Sequence, residues 1–341
     1  MHRPLIFGHR GVGCSIPGTL GLLPENSISS FLEARRLGAD GVELDVFLSK
    51  NDEILVVHGH LAKNSLCLTT LKKDGLTGVK QFLEDDLIEK YDSKSSDLLL
   101  KKPWRLLQSI TDIDVIIKNH KSNVAASFQS YIDNLEHAEG EHVPTLDEVF
   151  EKLGDTFQYN IELKGSRPEL GPRVLDAIER HPKVKVVISS FQWIPPKLDP
   201  SSPHAENALE ALPNGKITVD LLRPLVNNRL GVPIGLLFNN ETSELPSLER
   251  MVECTRSYHA EWVSLAHDFW TTETPILGAA VKGLDALHHL VTELHKKGLK
   301  IMTYFLESVP DTEKDMKLQL ASGVDAICPN DVELAMKCAR Q

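Results

Sequence analysis

Gly41-Val42-Glu43-Leu44-Asp45-Val46 is the stretch on which the reading of this chain turns. Successive side chains of a strand point to opposite faces, so a strand here sends Glu43 and Asp45 to the same side. The interior of a strand barrel is normally apolar. Two carboxylates on one face near a strand's end repel each other and resist leaving water unless a cation sits between them. Hard oxygen ligands suit Mg²⁺ or Ca²⁺ rather than Zn²⁺. Taken alone, the same pattern also fits a solvated edge strand with exposed carboxylates.

Around this stretch, short apolar runs alternate with helical patterns along the whole chain. Leu5–Phe7 precedes a Gly-rich turn and an amphipathic segment from Asn26 to Leu37. Further strand-like runs are Ile54–Val57, Tyr159–Leu163, Val184–Ser189, Ile234–Phe238, Glu261–Leu265, Lys300–Phe305 and Val324–Cys328. Helical patterns cover Thr145–Leu153, where Thr145 and Glu148 form a capping-box signature, and also Glu169–Arg180, Leu284–Lys297 and Thr312–Ser322. About eight strands joined by crossovers favour a (β/α)8 TIM barrel within the α/β class. A dinucleotide-binding sheet is the weaker reading, because Gly11-Val12-Gly13 lacks the third glycine of that fingerprint. The rhythm predicts one domain over residues 1–341, with a small inserted subdomain at about 60–142. An elaborated surface loop is expected at about 195–232, where Pro195-Pro196 and Pro213-Asn214-Gly215 signal turns.

The 341 residues suffice for a large core, and a formal net charge of -11 argues against a nucleic-acid partner. The five cysteines are scattered and odd in number, which reads as reduced thiols and a cytoplasmic location. No apolar run is long enough to insert stably in a membrane. Nothing in the sequence speaks to the oligomeric state.

Three further stretches carry chemistry. Tyr159-Asn160-Ile161-Glu162-Leu163-Lys164 repeats the alternation, with Glu162 and Lys164 two apart in an otherwise apolar strand. Glu162 offers a third oxygen ligand and Lys164 a cation for an anionic oxygen, although an exposed ion pair would look the same. Gly8-His9-Arg10-Gly11 ends the first strand and combines a proton carrier with a bidentate phosphate binder. Val57-His58 puts a second histidine after a strand, weak evidence by itself in a chain with fourteen histidines. A parallel barrel gathers the C-terminal ends of its strands on one face. That face would collect three carboxylates, two imidazoles and two fixed cations, an inventory suited to cleaving a phosphodiester.

At these residues the chain resembles the glycerophosphodiester phosphodiesterase family. The matching pieces are GHRG at 8–11, PENS at 24–27, LGADGVELDVFLSKNDEILVVH at 37–58, VPTLDEVF at 143–150, NIELK at 160–164 and GVDAI at 323–327. The resemblance implies a TIM barrel that converts glycerophosphodiesters, such as glycerophosphocholine or glycerophosphoethanolamine, to sn-glycerol 3-phosphate and an alcohol. It implies His9 and His58 as the acid/base pair, Arg10 and Lys164 on phosphate, and Glu43, Asp45 and Glu162 holding Mg²⁺ or Ca²⁺. Which histidine is the acid stays open.

The chain also departs from the family. His58-Gly59 stands where the family often has His-Asp, Met302-Thr303-Tyr304-Phe305 replaces a Trp-Thr-Val-Asn run, and Cys328-Pro329-Asn330-Asp331 replaces Thr-Asp-x-Pro. These changes are expected at the pocket wall, where Trp270 and Tyr304 or Phe305 would line an apolar surface under the glycerol; ordinary core packing is the alternative for those aromatics. A lysophospholipase D or sphingomyelinase D-like barrel, and a non-catalytic barrel that binds phosphodiesters, are the competing functional readings.

Overall fold

The computed structural model describes residues 3–13, 23, 25–49, 51–58, 143–196, 219–239, 247–271, 283–305 and 311–341. Eight parallel strands close into a ring: β1 (Leu5–Gly8), β2 (Gly41–Leu48), β4 (Gln158–Leu163), β5 (Lys185–Ser190), β6 (Ile234–Phe238), β7 (Trp262–Ala266), β8 (Lys300–Tyr304) and β9 (Ala326–Cys328). β9 pairs back onto β1, which pairs onto β2, so the ring has no free edge. This is the expected (β/α)8 barrel.

One strand-like run departs from the expected pattern. Ile54–Val56 forms β3, which pairs antiparallel with the end of β2 and is not a stave of the ring. Its ladder couples Val46 with Val56 and Leu48 with Ile54, so the chain turns over after Leu48 and comes back towards Asp45. Only residues 49–53 connect Leu48 to Ile54, too few for the crossover that a parallel neighbour needs. The chain re-enters beside the same strand, where Val56 N–H donates to the Pro144 carbonyl at 2.8 Å and Leu55 bridges Thr145.

Helices α1 (Ile28–Leu37), α2 (Leu146–Leu153), α3 (Leu170–Arg180), α4 (Leu248–Ser257), α5 (Asp268–Thr271), α6 (Leu284–Lys296), α7 (Glu313–Ala321) and α8 (Val332–Ala339) follow the strands. Outward strand residues such as Ile6, Val42, Leu44 and Ile161 pack with Phe31, Val149, Val174 and Leu290 of this layer in one large core. The inward residues Leu5, Phe7, Val187, Trp262, Met302, Tyr304, Ala326 and Cys328 form a second, smaller cluster inside the ring. The inward face of β2 therefore belongs to Gly41, Glu43 and Asp45.

Local signals set the helix ends. Thr145 and Glu148 make the expected capping box, each bonding the other's backbone. α1 begins at Ile28 rather than Asn26, because Ser27 caps it and Asn26 stands in the left-handed region at φ 57°. The amphipathic pattern alone ran through that cap. α4 and α8 lie in segments not assigned a helix from the sequence; both are short, and Ser247 and Asp331 cap their starts. The expected insertion at 60–142 lies outside the described residues, as do Gly59, His60 and residues 197–218 of the expected surface loop. The described tail of that loop is part surface and part core: Arg223, Pro224, Asn227 and Arg229 are exposed. Leu221, Leu222 and Leu225 are fully buried, and Leu225 packs against Gly171 of α3.

Candidate active site

The carboxylates come together through strand register. β2 and β4 pair in parallel with Glu43 opposite Asn160 and Asp45 opposite Glu162. Pairs in a parallel ladder share a face, so the period of two seen in each segment becomes a cluster across two strands. One ligand oxygen from each of Glu43, Asp45 and Glu162 lies within 4.8 Å of the others, and all three residues are buried.

Arg10 and Lys164 partly neutralise this cluster. Lys164 Nζ lies 2.6 Å from Glu162 Oε1 and 3.3 Å from Asp45 Oδ1. Arg10 Nε lies 3.1 Å from Asp45 Oδ2, and its Nη1 is 3.3 Å from Glu25 Oε2. The Arg10 backbone N–H donates to Glu43 Oε2 at 3.0 Å. Arg10 holds φ at 49°, a conformation that costs a non-glycine residue on the order of 1–2 kcal/mol. Gly11 beside it stands at φ 102°, where a Cβ would lie 2.1 Å from Ser30 Oγ. Only glycine lets this turn rest on α1.

The two fixed cations do not balance the site. Glu25, Glu43, Asp45 and Glu162 are buried against Arg10 and Lys164, a formal excess of two negative charges among these described groups when all four carboxyls are ionised. Burial opposes ionisation of Asp45, but Lys164 and Arg10 outweigh it and hold its carboxyl well below the usual range. Glu43 goes the other way: burial pushes its carboxyl well above the usual range, and the charges of Asp45 and Glu162 push it further. Burial also raises Glu162. Glu43 Oε1 is buried without a hydrogen-bond partner. An excess of two charges, an orphaned carboxylate oxygen and an all-oxygen donor set fit one hard divalent cation.

Both histidines of the sequence reading reach this end of the barrel, by different routes. His9 follows β1 directly; its backbone N–H donates to the Pro329 carbonyl at 3.0 Å, and its Nε2 lies 3.8 Å from Glu43 Oε2. His58 arrives on the returning arm of β3, not at the end of a barrel stave. Val57 N–H donates to the Asp45 carbonyl at 3.0 Å, and His58 is close enough for its charge to lower Asp45.

The pocket aromatics are placed differently from one another. Tyr304 belongs to the inner cluster, and its hydroxyl donates to the Phe238 carbonyl at 2.8 Å. Trp270 and Phe305 are fully buried in the outer core, with Phe305 stacked on His267 at 6.0 Å.

Several residues near the site were not singled out from the sequence. Asn26 clasps Asp45 twice: its Nδ2 donates to Asp45 Oδ2 at 2.9 Å, and its Oδ1 accepts from the Asp45 backbone N–H at 3.2 Å. The Pro-Glu-Asn motif therefore works through Glu25 on Arg10 and Asn26 on Asp45. Asn330, expected at the pocket wall, is a partner of His9: its Oδ1 lies 2.7 Å from His9 Nδ1. Its Nδ2 donates to Asp311 Oδ1 at 3.1 Å. The available signal for Asn330 was its place two residues beyond Cys328, at the C-terminal end of the last strand.

Comparison with known proteins adds the following. Residues 9–181 match the Glycerophosphoryl diester phosphodiesterase family. A glycerophosphodiester phosphodiesterase of Caldanaerobacter subterraneus is 29% identical over 194 residues, covering 55% of this chain and 58% of that protein. A human glycerophosphocholine phosphodiesterase is 32% identical over 162 residues, covering 47% of this chain and 21% of that protein. The matched stretches thus span little more than half of the first relative and about a fifth of the second. In overall fold the chain is similar to the crystal structure of a Thermotoga maritima glycerophosphodiester phosphodiesterase (20% identity, TM-score 0.53, covering 99% of both chains). It is also similar to an Oleispira antarctica phosphodiesterase solved with sn-glycerol-3-phosphate (17% identity, TM-score 0.55, covering 99% of this chain and 98% of that one).

Proposed function

Because the chain belongs to the glycerophosphoryl diester phosphodiesterase family, we propose that it hydrolyses glycerophosphodiesters to sn-glycerol 3-phosphate and an alcohol. The observation that carries this reading is the buried Glu43–Asp45–Glu162 cluster with the His9 imidazole against it.

In the proposed site Glu43, Asp45 and Glu162 hold a divalent cation, Mg²⁺ or Ca²⁺. When bound, that ion supplies positive charge to the phosphoryl oxygens and removes the mutual repulsion of the carboxylates. His9 Nε2 accepts the proton of the attacking glycerol 2-hydroxyl. His58 gives a proton to the departing alkoxide, which is too basic to leave unaided, and a five-membered cyclic phosphate remains; water then opens it, losing its proton to His58 while His9 returns its own to the 2-oxygen. Lys164 contributes positive charge to the phosphate, its longer contact to Asp45 being the one an incoming anion would replace. Arg10 lends charge to the phosphate while keeping Asp45 ionised and fixed between Glu25 and the cluster. Tyr304, Trp270 and Phe305 shape the pocket wall, Tyr304 from inside the ring and the other two from behind it. The substrate is a small molecule; among the described residues no helix is long and apolar enough to cross a membrane.

The test is turnover of glycerophosphocholine, glycerophosphoethanolamine, glycerophosphoinositol and lysophosphatidylcholine, each with Mg²⁺, Ca²⁺ or a chelator. Release of sn-glycerol 3-phosphate from a glycerophosphodiester, abolished by the chelator, is the expected result. Turnover of lysophosphatidylcholine alone would move the assignment to a lysophospholipase D, and no turnover of any substrate would make the barrel a binding protein.

A further inference from the structure

Asp311 lies just before α7 and meets two donors of different kinds. Its Oδ1 accepts from the side-chain amide of Asn330 at 3.1 Å, and its Oδ2 accepts from the backbone N–H of Asp331 at 2.8 Å. The backbone donor is fixed in direction. The Asn330 amide can turn over by half a rotation and present either its oxygen or its NH₂ to His9. Asn330 is only 3% exposed, so what stands behind it decides which end faces forward. An ionised carboxylate accepts and never donates. It therefore draws the Asn330 NH₂ to itself and turns the Asn330 oxygen to His9 Nδ1, 2.7 Å away. That nitrogen must then carry the ring proton. In the neutral ring Nε2, which lies 3.8 Å from Glu43 Oε2, then keeps its lone pair.

We propose that Asp311 is a positioning residue: acting through Asn330, it fixes the His9 tautomer that leaves Nε2 able to accept a proton. The catalytic consequence rests on the phosphodiesterase reading above; the tautomer itself does not. Burial pushes the Asp311 carboxyl up to about 6, so the group is mostly ionised, and acceptor-only, at neutral pH. Asp311 and Asn330 act on the Nδ1 side of the His9 ring, whereas Glu43 stands on its Nε2 side.

The informative substitution is Asp311→Asn, which keeps the shape and removes one acceptor. The Asp331 N–H retains the remaining side-chain oxygen, because that donor cannot turn. The new NH₂ then faces Asn330 and forces its amide over, so that His9 Nδ1 has to accept and the ring proton moves to Nε2. The readouts are steady-state kinetics and ¹⁵N shifts of histidine-labelled protein with Mg²⁺ added, the His9 signals being assigned by their loss in His9→Gln. Wild type is expected to show a protonated Nδ1 and a bare Nε2, and Asp311→Asn the reverse. kcat should fall by about 10²-fold or more, the range set by a misprotonated acid/base residue, while KM moves less than about threefold. The double substitution Asp311→Asn with Asn330→Asp places a carboxylate between the two donors. It should return the proton to Nδ1 and restore kcat to within about tenfold of wild type, as a relay requires and a purely structural tie does not.

A bare Nδ1 in wild type, an unchanged His9 tautomer in Asp311→Asn, or no recovery in the double variant would overturn the proposal. The wild-type tautomer is read without any substitution, so poor folding of a variant does not shield the idea. If no variant turns over any glycerophosphodiester yet the tautomers follow the expected order, the relay stands and the reaction assignment falls.

Discussion

Replacing Glu43 by Gln removes one negative charge from the carboxylate cluster and leaves its shape nearly unchanged. Without a cation, Asp45 has Lys164, Arg10 and Asn26 as partners and Glu162 has Lys164, whereas the Glu43 side chain accepts one backbone N–H. Its ligand oxygen lies within 4.8 Å of those of Asp45 and Glu162, so each like-charge pair is opposed by about 3 kcal/mol at an effective dielectric constant near 20. Arg10 and Lys164 offset much of this. Burial, and then the charges of Asp45 and Glu162, raise the folded-state pKa of Glu43 above its unfolded value. Its ionisation therefore opposes folding, increasingly as pH rises past about 4.3. In a chelator at pH 7, Glu43→Gln should be more stable than wild type by about 1–3 kcal/mol, seen as a Tm a few degrees higher. Adding Mg²⁺ or Ca²⁺ should reverse the order, because a ligand at 100 times its Kd stabilises wild type by about 2.7 kcal/mol, and the variant lacks one ligand charge. Thermal unfolding followed by circular dichroism, with and without each ion, measures both signs. A chelated variant less stable than wild type would refute the charge argument. A wild-type Tm that ignores both ions would refute the cation site.

Three further outcomes follow from the same geometry. His58→Ala should reduce kcat by about 10²–10⁴-fold with unchanged far-ultraviolet dichroism; turnover within twofold of wild type would remove His58 from the acid/base pair. Asn26→Ala loses both bonds to Asp45 and puts alanine at φ 57°, so it should cost about 3 kcal/mol in urea denaturation, and Asn26→Gly should recover the backbone share of that loss. Away from the site, Arg180 and His181 outweigh burial and lower the Asp147 carboxyl. Its contribution is present above the unfolded value and lost as pH falls through the lowered folded one. Because Asp147 is partly exposed, Asp147→Asn should cost under about 1 kcal/mol at pH 7, and a pH-independent loss would contradict the ion-pair origin.

The barrel was legible in the sequence because its strands are short, apolar and separated by recognisable helices. Glu43, Asp45 and Glu162 were legible for a different reason. Charged residues two apart in an apolar strand share a face whatever the rest of the chain does, and register then brings two such strands together. What sequence periodicity does not carry is direction. Ile54–Val56 has the composition of a stave and is an antiparallel arm, so His58 arrives by a route the strand count did not foresee. Nor does it carry contacts made by turns. Asn26 and Asn330 act through single side-chain amides held at particular angles, and Asp311 lies one step further back. The helix pattern through Asn26 hid the first. The second was visible as a difference from the family but not as a hydrogen bond to a histidine. The burial of Leu221, Leu222 and Leu225 was masked by the turn-rich stretch before them.

The seam at β3 has an architectural consequence. Val56 and Pro144, far apart in sequence, are hydrogen-bonded to each other there. The barrel's own residues thus form a closed doorway at this seam, with Val56 on one jamb and Pro144 on the other. Joining two such fixed points by a flexible chain depends only weakly on its length, each doubling adding about 0.6 kcal/mol of closure entropy. His58 stands on the threshold, one residue beyond Val57 and its bond to the Asp45 carbonyl. A change of chain length at this seam would therefore begin two residues from the bond that ties Val57 to Asp45, one of the three clustered carboxylates.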